Sequence, residues 1–353
     1  MSPDTKSKPI NLLNYHRPRI RIAQAKIPPL SQVSKQCLRN LVSYKLPKTK
    51  LKFPRSRCAA VLVALFVGRH GDLYVLLNRR SATLRSYAGD TSLPGGKVDP
   101  EDKTFEDTAV SSSINCTARF AVHTICLMYQ RREAFEEIGL PPDRTKVPLL
   151  CVLEPFLASN QLIVTPVVVL ILDNTLRPIL NRAEVASLFS HPLQAFLSDS
   201  PPFPHEPEAF EVEYHTYHEW PWNGSGVEKG YAQRYIRTHS FLTGREAGGT
   251  KPIIGLTAGI LLHTAIIGFR KDPSFPVHPP EGAPSMEARL AWAMLESPVF
   301  EEACVKEGVS FDRKYLSNLV QKERISLKDK AAIQKRARHF RPQGHRAKFS
   351  SKL

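Results

Sequence analysis

The sequence predicts a mixed α/β fold in which helices pack against a central β-sheet. Short apolar runs typical of buried strands alternate along the chain with stretches of helical periodicity. With 353 residues, 42% of them hydrophobic and 23% charged, the chain is long enough to bury a full-sized core. No apolar run reaches the roughly eighteen residues that a membrane-spanning helix needs, so no transmembrane segment is expected.

The first elements are a helix and a hairpin. Residues 31–43 are expected to form a short helix, and the nearly continuous apolar run 58–67 to form a buried strand. A Gly-Asp turn then leads into 73–77, which completes the hairpin. After a glycine-rich loop at 93–96, a charged helical stretch ends at Gly139, directly before Leu-Pro-Pro, which is a typical helix stop.

The second half continues the alternation of strands and helices. We expect strands at 149–157 and 161–172, a helix at 181–197 interrupted near Pro192, strands at 210–217 and 235–241, a closing helix at 256–269, and a further helix at 285–295 after a proline-rich linker.

The net charge of +16 is concentrated at the two ends of the chain. Residues 1–60 carry +13 and residues 313–353 carry +11, which leaves a net −8 between them. Such basic arms are compatible with binding to nucleic acid or to an anionic membrane. Aromatic residues are sparse there and no nucleic-acid motif is present, so solvated tails are favoured and nucleic-acid binding is disfavoured.

The six cysteines are scattered and form no C-x-x-C pair, and no secretory signal is recognisable. Both a zinc site and a disulfide framework are therefore disfavoured, and a reducing compartment is expected. They are Cys37, Cys58, Cys116, Cys126, Cys151 and Cys304.

Three carboxylates near the middle of the chain carry the chemical signal. On a helix, Glu133, Glu136 and Glu137 share one face because they are spaced i, i+3 and i+4. Like charges at this spacing destabilise a helix unless they are compensated, and a divalent cation such as Mg²⁺ is the usual partner of clustered carboxylates. A solvated acidic face is the alternative for this motif alone. The following Gly-Leu stop and the upstream pair Gly95-Gly96 favour the metal site.

These motifs resemble those of the Nudix hydrolases. Residues 132–140 are similar to the second half of the Nudix box, although Ala134 is small for its position, and residues 76–97 are similar to an additional signature of coenzyme A diphosphatases. Tyr87 and Leu93 stand where many members have His and Phe. Asn181, Glu184, Val185 and the run Leu256-Thr257-Ala258 resemble later family features. The resemblance covers about residues 30–270 and implies a Nudix-type α/β/α sandwich with a mixed β-sheet, carrying basic N- and C-terminal extensions.

The resemblance also implies an activity and roles for individual residues. The expected reaction is hydrolysis of the pyrophosphate bond of coenzyme A or acyl-coenzyme A to 3′,5′-ADP and (acyl-)4′-phosphopantetheine, with Mg²⁺ or Mn²⁺. The general base is left open. The implied metal ligands and catalytic residues are Glu133, Glu136 and Glu137; the implied substrate-binding residues are Arg80, Arg85, Gly95, Gly96 and Lys97; and Arg132 and Gly139 are implied structural supports.

One segment breaks the family pattern. Gly96 and Glu133 are 37 positions apart, 21 more than in the coenzyme A branch. Removing Val110–Gln130, which contains no acidic residue, restores the register of the branch. A Val codon begins with GT and a Gln codon can end in AG, so we expect this segment to be a retained intron. A genuine surface loop is the alternative, because long insertions cost little closure entropy.

The chain is expected to consist of a basic N-terminal arm at 1–30, a Nudix hydrolase domain at 31–270, and a basic, partly helical C-terminal extension at 271–353. The final tripeptide Ser351-Lys352-Leu353 resembles the address that the peroxisomal import receptor reads. The acid-poor N-terminus has some character of a transit peptide. A peroxisomal location is therefore expected, with the mitochondrion or cytosol as alternatives.

Three other functions remain open at this point. The chain is compatible with a Nudix diphosphatase for another dinucleotide, such as ADP-ribose or NADH. It is also compatible with a catalytically inactive Nudix module that binds a nucleotide or partner, although the intact Arg-Glu-x-x-Glu-Glu motif argues against this. A basic RNA-binding protein is a more distant third, and it would bind in a salt-sensitive manner through the two arms.

Overall fold

A computed structural model describes residues 25, 27–98, 136–140, 143, 145–173, 175, 178–203, 212–330 and 333. Several sequence-based expectations concern residues outside these ranges: the insert at 110–130, Arg132 and Glu133, most of the N-terminal arm, and the C-terminal tripeptide.

The described residues include five α-helices with defined bounds and eleven β-strands, and residues 136–138 are also helical. The helices are α1 (Gln32–Ser43), α2 (Gly255–Phe269), α3 (Met286–Glu296), α4 (Pro298–Glu307) and α5 (Arg313–Lys322). The strands are β1 (Cys58–Val67), β2 (Leu73–Arg80), β3 (Thr91–Ser92), β4 (Gly95–Lys97), β5 (Leu149–Val152), β6 (Phe156–Leu157), β7 (Ile163–Leu170), β8 (Val185–Pro192), β9 (His215–Pro221), β10 (Tyr235–Phe241) and β11 (Ile253–Ile254).

The main sheet has eight strands and is mixed, as the sequence predicts. Its central path runs β3-β2-β1-β7-β5, while β8 pairs with β2, β4 with β1 and β6 with β7. The central pair β1 and β7 is parallel, with Cys58 opposite Ile163 and Leu65 opposite Leu170, and the other pairs are antiparallel. All eight residues of β7 are buried, which explains its uninterrupted apolar sequence.

Both faces of the sheet are covered. Alternate residues of β1 point to opposite sides: Val63 and Leu65 join one apolar cluster, whereas Leu62 and Ala64 join another. Helices α1 and α2 contribute to the first cluster. Ile138, at the end of the charged helix, packs in the second. The described residues therefore form an α/β/α sandwich.

The sequence-based expectation of a helix at 181–197 is wrong for most of its length. Residues 185–192 form strand β8, which pairs antiparallel with β2, and only Leu193–Leu197 form a short 3₁₀ helix. The pairing satisfies the backbone hydrogen bonds of β2 on its open side, a long-range gain that overrides local preference. The expected strand at 149–157 is split into β5 and β6, and the strand expected at 210–217 is β9, at His215–Pro221.

The C-terminal helices pack against the rest of the molecule. Helices α3–α5 share an apolar cluster with Leu51, Ile163 and Trp222, three residues from distant parts of the chain. The Arg234 side chain, 6% exposed, reinforces this contact through a 2.6 Å bond to the Glu323 carboxylate. No helix in the described part of the chain combines the length and apolar composition needed to cross a bilayer.

Candidate active site

The glycine-rich loop is held against the central strand. Gly95 pairs with Val61 and Gly96 with Ala60, in the antiparallel contact between β4 and β1. A Cβ atom on Gly95, whose φ is +156°, would lie 2.4 Å from the backbone oxygen of Ala60. That distance is far inside van der Waals contact with an atom that cannot rotate away, so the close approach requires glycine here.

The end of the charged helix meets this loop. The Gly95 amide donates a hydrogen bond to Oε2 of Glu137 over 3.1 Å, although the two residues are 42 positions apart. The Glu137 residue is only 4% exposed, whereas Glu136, beside it on the last helical turn, is exposed. The glycine pair and the glutamate motif are therefore in contact. A buried carboxylate held by an amide is fixed in orientation.

The helix stops where the sequence predicts. Gly139 has a φ of +69°, and a Cβ there would lie 2.8 Å from the Ile179 nitrogen. The amide of Ile179 donates to the Ile138 oxygen over 3.1 Å, and the amide of Asn181 to the Glu137 oxygen over 3.0 Å. The segment around Asn181 thus donates hydrogen bonds to backbone carbonyls that have no partner within the helix. These bonds fix the position of the last helical turn, which carries Glu137.

The two predicted substrate-binding arginines lie on the hairpin that directly precedes the glycine loop in the chain. We call residues 81–90, which join β2 to β3, the hairpin loop. Arg80 precedes it and is four positions after Leu76, so it lies on the sheet face that carries the Ile138 cluster. Its Nε atom is buried and makes no hydrogen bond to any described residue. Arg85 in the loop and Lys97 after the glycines are exposed.

Tyr87 links the hairpin loop to another turn. Its backbone is left-handed, with a φ of +56°, and its side chain is half-exposed. The hydroxyl groups of Tyr87 and Ser159 form a 3.1 Å hydrogen bond, which joins the hairpin loop to the turn before β7. The residue that departs from the family pattern therefore has a structural partner in this chain.

The sequence-based reasoning missed a contact that holds the base of the hairpin loop. Lys251 Nζ lies 2.6 Å from Asp90 Oδ1 and donates to the Ala88 oxygen over 3.0 Å. Thr91 Oγ1 donates to the backbone oxygen of Lys251 over 2.6 Å. Lys251 and Asp90 are 161 positions apart, so no local pattern indicates their contact.

The carboxylates fit a divalent cation in donor type. Glu136 and Glu137 present oxygen ligands on one helical turn, the donor atoms that Mg²⁺ and Mn²⁺ favour. Within the described ranges, no group of three or more His, Cys, Asp or Glu side chains is arranged to hold a metal ion. The predicted third ligand, Glu133, lies outside those ranges.

Comparison with known proteins identifies Nudix hydrolases among the relatives of this chain. The Nudix hydrolase NudL of Pectobacterium atrosepticum is 34% identical over 176 residues, which are 50% of this chain and 78% of that protein. Nudix hydrolase 15, mitochondrial, of Arabidopsis thaliana is 35% identical over 219 residues, 62% of this chain and 60% of that protein. Peroxisomal coenzyme A diphosphatase 1 of Saccharomyces cerevisiae is 34% identical over 225 residues, 55% of this chain and 60% of that protein.

The matches cover different shares of the curated proteins. No family model matches the chain, and the chain spans about 60% of the length of the first curated relatives. The match to NudL covers more than two thirds of that protein at over 30% identity. Together with the mixed sheet covered on both faces, this match establishes that the chain belongs to the Nudix hydrolase family.

Proposed function

We propose that the protein hydrolyses the pyrophosphate bond of coenzyme A or acyl-coenzyme A, yielding 3′,5′-ADP and (acyl-)4′-phosphopantetheine. The observation that carries the proposal is the hydrogen bond from the Gly95 amide to Glu137. It joins the loop of the coenzyme A signature to the helix of the Nudix box. The similarity to the peroxisomal coenzyme A diphosphatase of yeast supports the same substrate class.

The residues around this contact suit a diphosphate. The buried Arg80 Nε lacks an acceptor among the described residues, and a phosphate oxygen would supply one. Arg85 in the hairpin loop and Lys97 directly after the glycines are exposed and would offer further positive charge to a diphosphate. Gly95 and Gly96 allow the backbone to approach a ligand closely because they have no side chain.

Glu133, Glu136 and Glu137 would hold the divalent cation. When bound, the cation would neutralise the diphosphate charge and lower the pKa of a water molecule. The chain's own contribution is positional: the amide of Gly95 fixes the Glu137 carboxylate, and the loop at 179–181 fixes the helix end that carries it.

Product analysis tests the proposal. The protein is incubated with Mg²⁺ or Mn²⁺ and, separately, with coenzyme A, an acyl-coenzyme A, ADP-ribose and NADH. We expect 3′,5′-ADP and phosphopantetheine from the first two substrates, and loss of turnover when the metal is removed by EDTA. Faster cleavage of ADP-ribose or NADH would overturn the substrate assignment, whereas no turnover of any substrate would favour a nucleotide-binding module.

We also propose a peroxisomal location, which the final Ser351-Lys352-Leu353 supports. A fluorescent protein fused to the N-terminus of the full chain should enter peroxisomes, and deletion of the tripeptide should leave it in the cytosol. One Arabidopsis relative is described as mitochondrial, so import of the truncated protein into mitochondria is the competing outcome.

A further inference from the structure

We propose that Lys251 is a positioning residue that fixes the end of the hairpin loop, which carries Arg85, and thereby sets the affinity for the diphosphate substrate. The inference rests on the proposed function for its substrate. It goes beyond that function because Lys251 lies outside both family motifs and takes no part in the chemistry.

Lys251 contacts the hairpin loop with both its side chain and its backbone. The ammonium group bonds to the carboxylate of Asp90 and to the Ala88 carbonyl, while the Lys251 carbonyl accepts from Thr91 Oγ1. The three contacts are made to Ala88, Asp90 and Thr91, where the hairpin loop ends and β3 begins. They fix the point at which the loop carrying Arg85 and Tyr87 joins β3.

A second contact ties the β2 side of the hairpin loop to the segment that contains Lys251. The guanidinium group of Arg79, at the other end of the loop, donates to the Gly248 oxygen over 3.4 Å. Gly248 and Lys251 belong to one short segment that leads through β11 into helix α2. Both ends of the hairpin loop are therefore tied to this segment, which is anchored to a buried helix.

Charge gives Lys251 a second effect. The Asp90 side chain is 25% exposed and ends the loop that carries Arg85, one of the proposed diphosphate-binding residues. Without the ammonium group, the negative charge would be uncompensated and would repel the substrate. The Lys251 side chain is 53% exposed, so the ion pair adds little to folding stability. Its effect is to position the hairpin loop.

A neutral variant should therefore affect binding more than turnover. In Lys251→Met we expect the KM for coenzyme A to rise roughly tenfold, with kcat changed less than about threefold, because the loop is misplaced while the carboxylates are not. Lys251→Arg retains the charge and should restore most of the affinity. Asp90→Asn added to Lys251→Met should recover part of the loss by removing the repulsion. Lys314→Met, on the exposed face of α5, is the matched control and should leave KM unchanged.

A measurement without substrate separates this inference from the proposed function. Trypsin cleavage after Arg85 is followed by mass spectrometry in the full chain. It should be several-fold faster in Lys251→Met than in the wild type, Lys251→Arg or Lys314→Met. Equal cleavage rates would overturn the inference, as would faster cleavage with an unchanged KM. If the wild type does not hydrolyse coenzyme A, the proposed function fails, while the cleavage rates still report whether Lys251 holds the loop.

Discussion

Glu137 combines burial with a defined hydrogen bond, so its charge can be removed without changing its shape. In Glu137→Gln the amide oxygen can still accept from Gly95, but the negative charge that would hold a metal is lost. We expect kcat to fall by at least about a hundredfold and the melting temperature to change little. Glu133→Gln should lower kcat similarly, whereas Glu302→Gln, exposed on α4, should not. Near-normal rates of Glu137→Gln at saturating metal would remove the site assignment.

Gly95 tests the close approach of the loop to β1. In Gly95→Ala the new methyl group would lie 2.4 Å from the Ala60 oxygen, and no rotamer change relieves a clash with backbone. We expect a loss of roughly 2 kcal/mol or more in the free energy of unfolding, together with loss of activity. Gly259→Ala is the control: its methyl group would meet only Phe156, at 3.9 Å. Because it replaces glycine within a helix, denaturant unfolding should show equal or greater stability.

At this scale the sequence predicts residues whose local conformation is set by short motifs, while their chemical roles remain proposals. Gly95, Glu137 and Gly139 belong to short motifs, and the structure places each at the contact or turn that its residue type suggests. Lys251 and Asp90 could not be predicted, because an ion pair between residues 161 positions apart depends on how the sheet assembles. That the buried Nε of Arg80 bonds to none of the described residues is likewise visible only after folding.

The pair of strands β9 and β10 carries two stacked histidines that make this element sensitive to acid. His239 Nε2 lies 3.0 Å from the Val277 oxygen and must donate to it, which leaves Nδ1 to accept from His215 Nε2 at 2.9 Å. A proton on His239 Nδ1 would remove the acceptor of this hydrogen bond, so the arrangement favours a neutral His239 ring. The His215 ring also stacks on Phe275, with 3.6 Å between ring centroids.

Burial is the main reason that the pKa of His215 is lowered to about 4, and the charges of His239 and Arg237 lower it further while Asp199 opposes them. Burial also lowers the pKa of His239. In the unfolded chain both pKa values are about 6.5, so between pH 6.5 and about 4 the unfolded state binds more protons. The stabilising contribution is complete above pH 6.5 and is lost as the pH falls toward 4.

Thermal unfolding at several pH values checks this prediction. Between pH 7 and pH 5, the melting temperature should fall by roughly 2–5 °C more in the wild type than in His215→Phe, which keeps the stacking but cannot titrate. His218→Gln, exposed on the same strand, should retain the pH dependence of the wild type. Equal pH dependence in wild type and His215→Phe would show that His215 does not contribute to acid sensitivity in this range.

Helices and strands are predictable from the sequence where one hydrophobic pattern dominates. The bounds of β1 are those expected from its apolar run, and α1 and α2 agree to within one residue. Strand β8 was mistaken for a helix because residues 185–192 lack a clean alternation and gain their backbone partners from β2, more than a hundred positions earlier in the chain. Pairing of this kind is decided by the assembled sheet rather than by local sequence.

On the scale of the whole molecule, a largely buried ion pair between Arg234 and Glu323 joins the end of helix α5 to the segment before β10. The Arg234 guanidinium bonds to the Glu323 carboxylate, the Glu323 backbone oxygen and the Gly282 oxygen. In Glu323→Ala the positive charge loses its partner in a poorly solvated position. We expect the free energy of unfolding to fall by about 3 kcal/mol, as measured by urea denaturation.

An exposed pair provides the matched control. Arg313 and Glu301 are 2.8 Å apart with side chains that are 64% and 60% exposed, so Glu301→Ala should cost less than about 1 kcal/mol. If the two variants were equally stable, the contact between Arg234 and Glu323 would not anchor the helices. This packing could not be predicted from the sequence, because the shared cluster draws Leu51, Ile163 and Trp222 from separate regions.

The segment 110–130 raises a question about the chain as a whole, because the described residues on either side of it, up to Val98 and from Glu136, make defined contacts. Before it, the Val98 amide donates to the Cys58 oxygen over 3.1 Å. After it, Glu137 accepts from Gly95. Without the 21 residues, 16 residues would remain between Val98 and Glu136, enough for a helix of about four turns to carry Glu133. The contact between loop and helix therefore does not require the insert.

We predict that Val110–Gln130 is a retained intron and that the chain without it is the more active enzyme. Its 63 nucleotides preserve the reading frame, and its removal brings Arg132 and Glu133 into the family register. Translated, it would lie between the glycine loop and the metal helix, where sub-ångström placement matters. Sequencing of the mature transcript should find the segment absent, and coenzyme A assays of both chains should give a higher kcat/KM for the shorter one. A single transcript that retains the segment, together with loss of activity on its deletion, would instead make it a functional loop, since closure entropy alone would tolerate an insertion of this length.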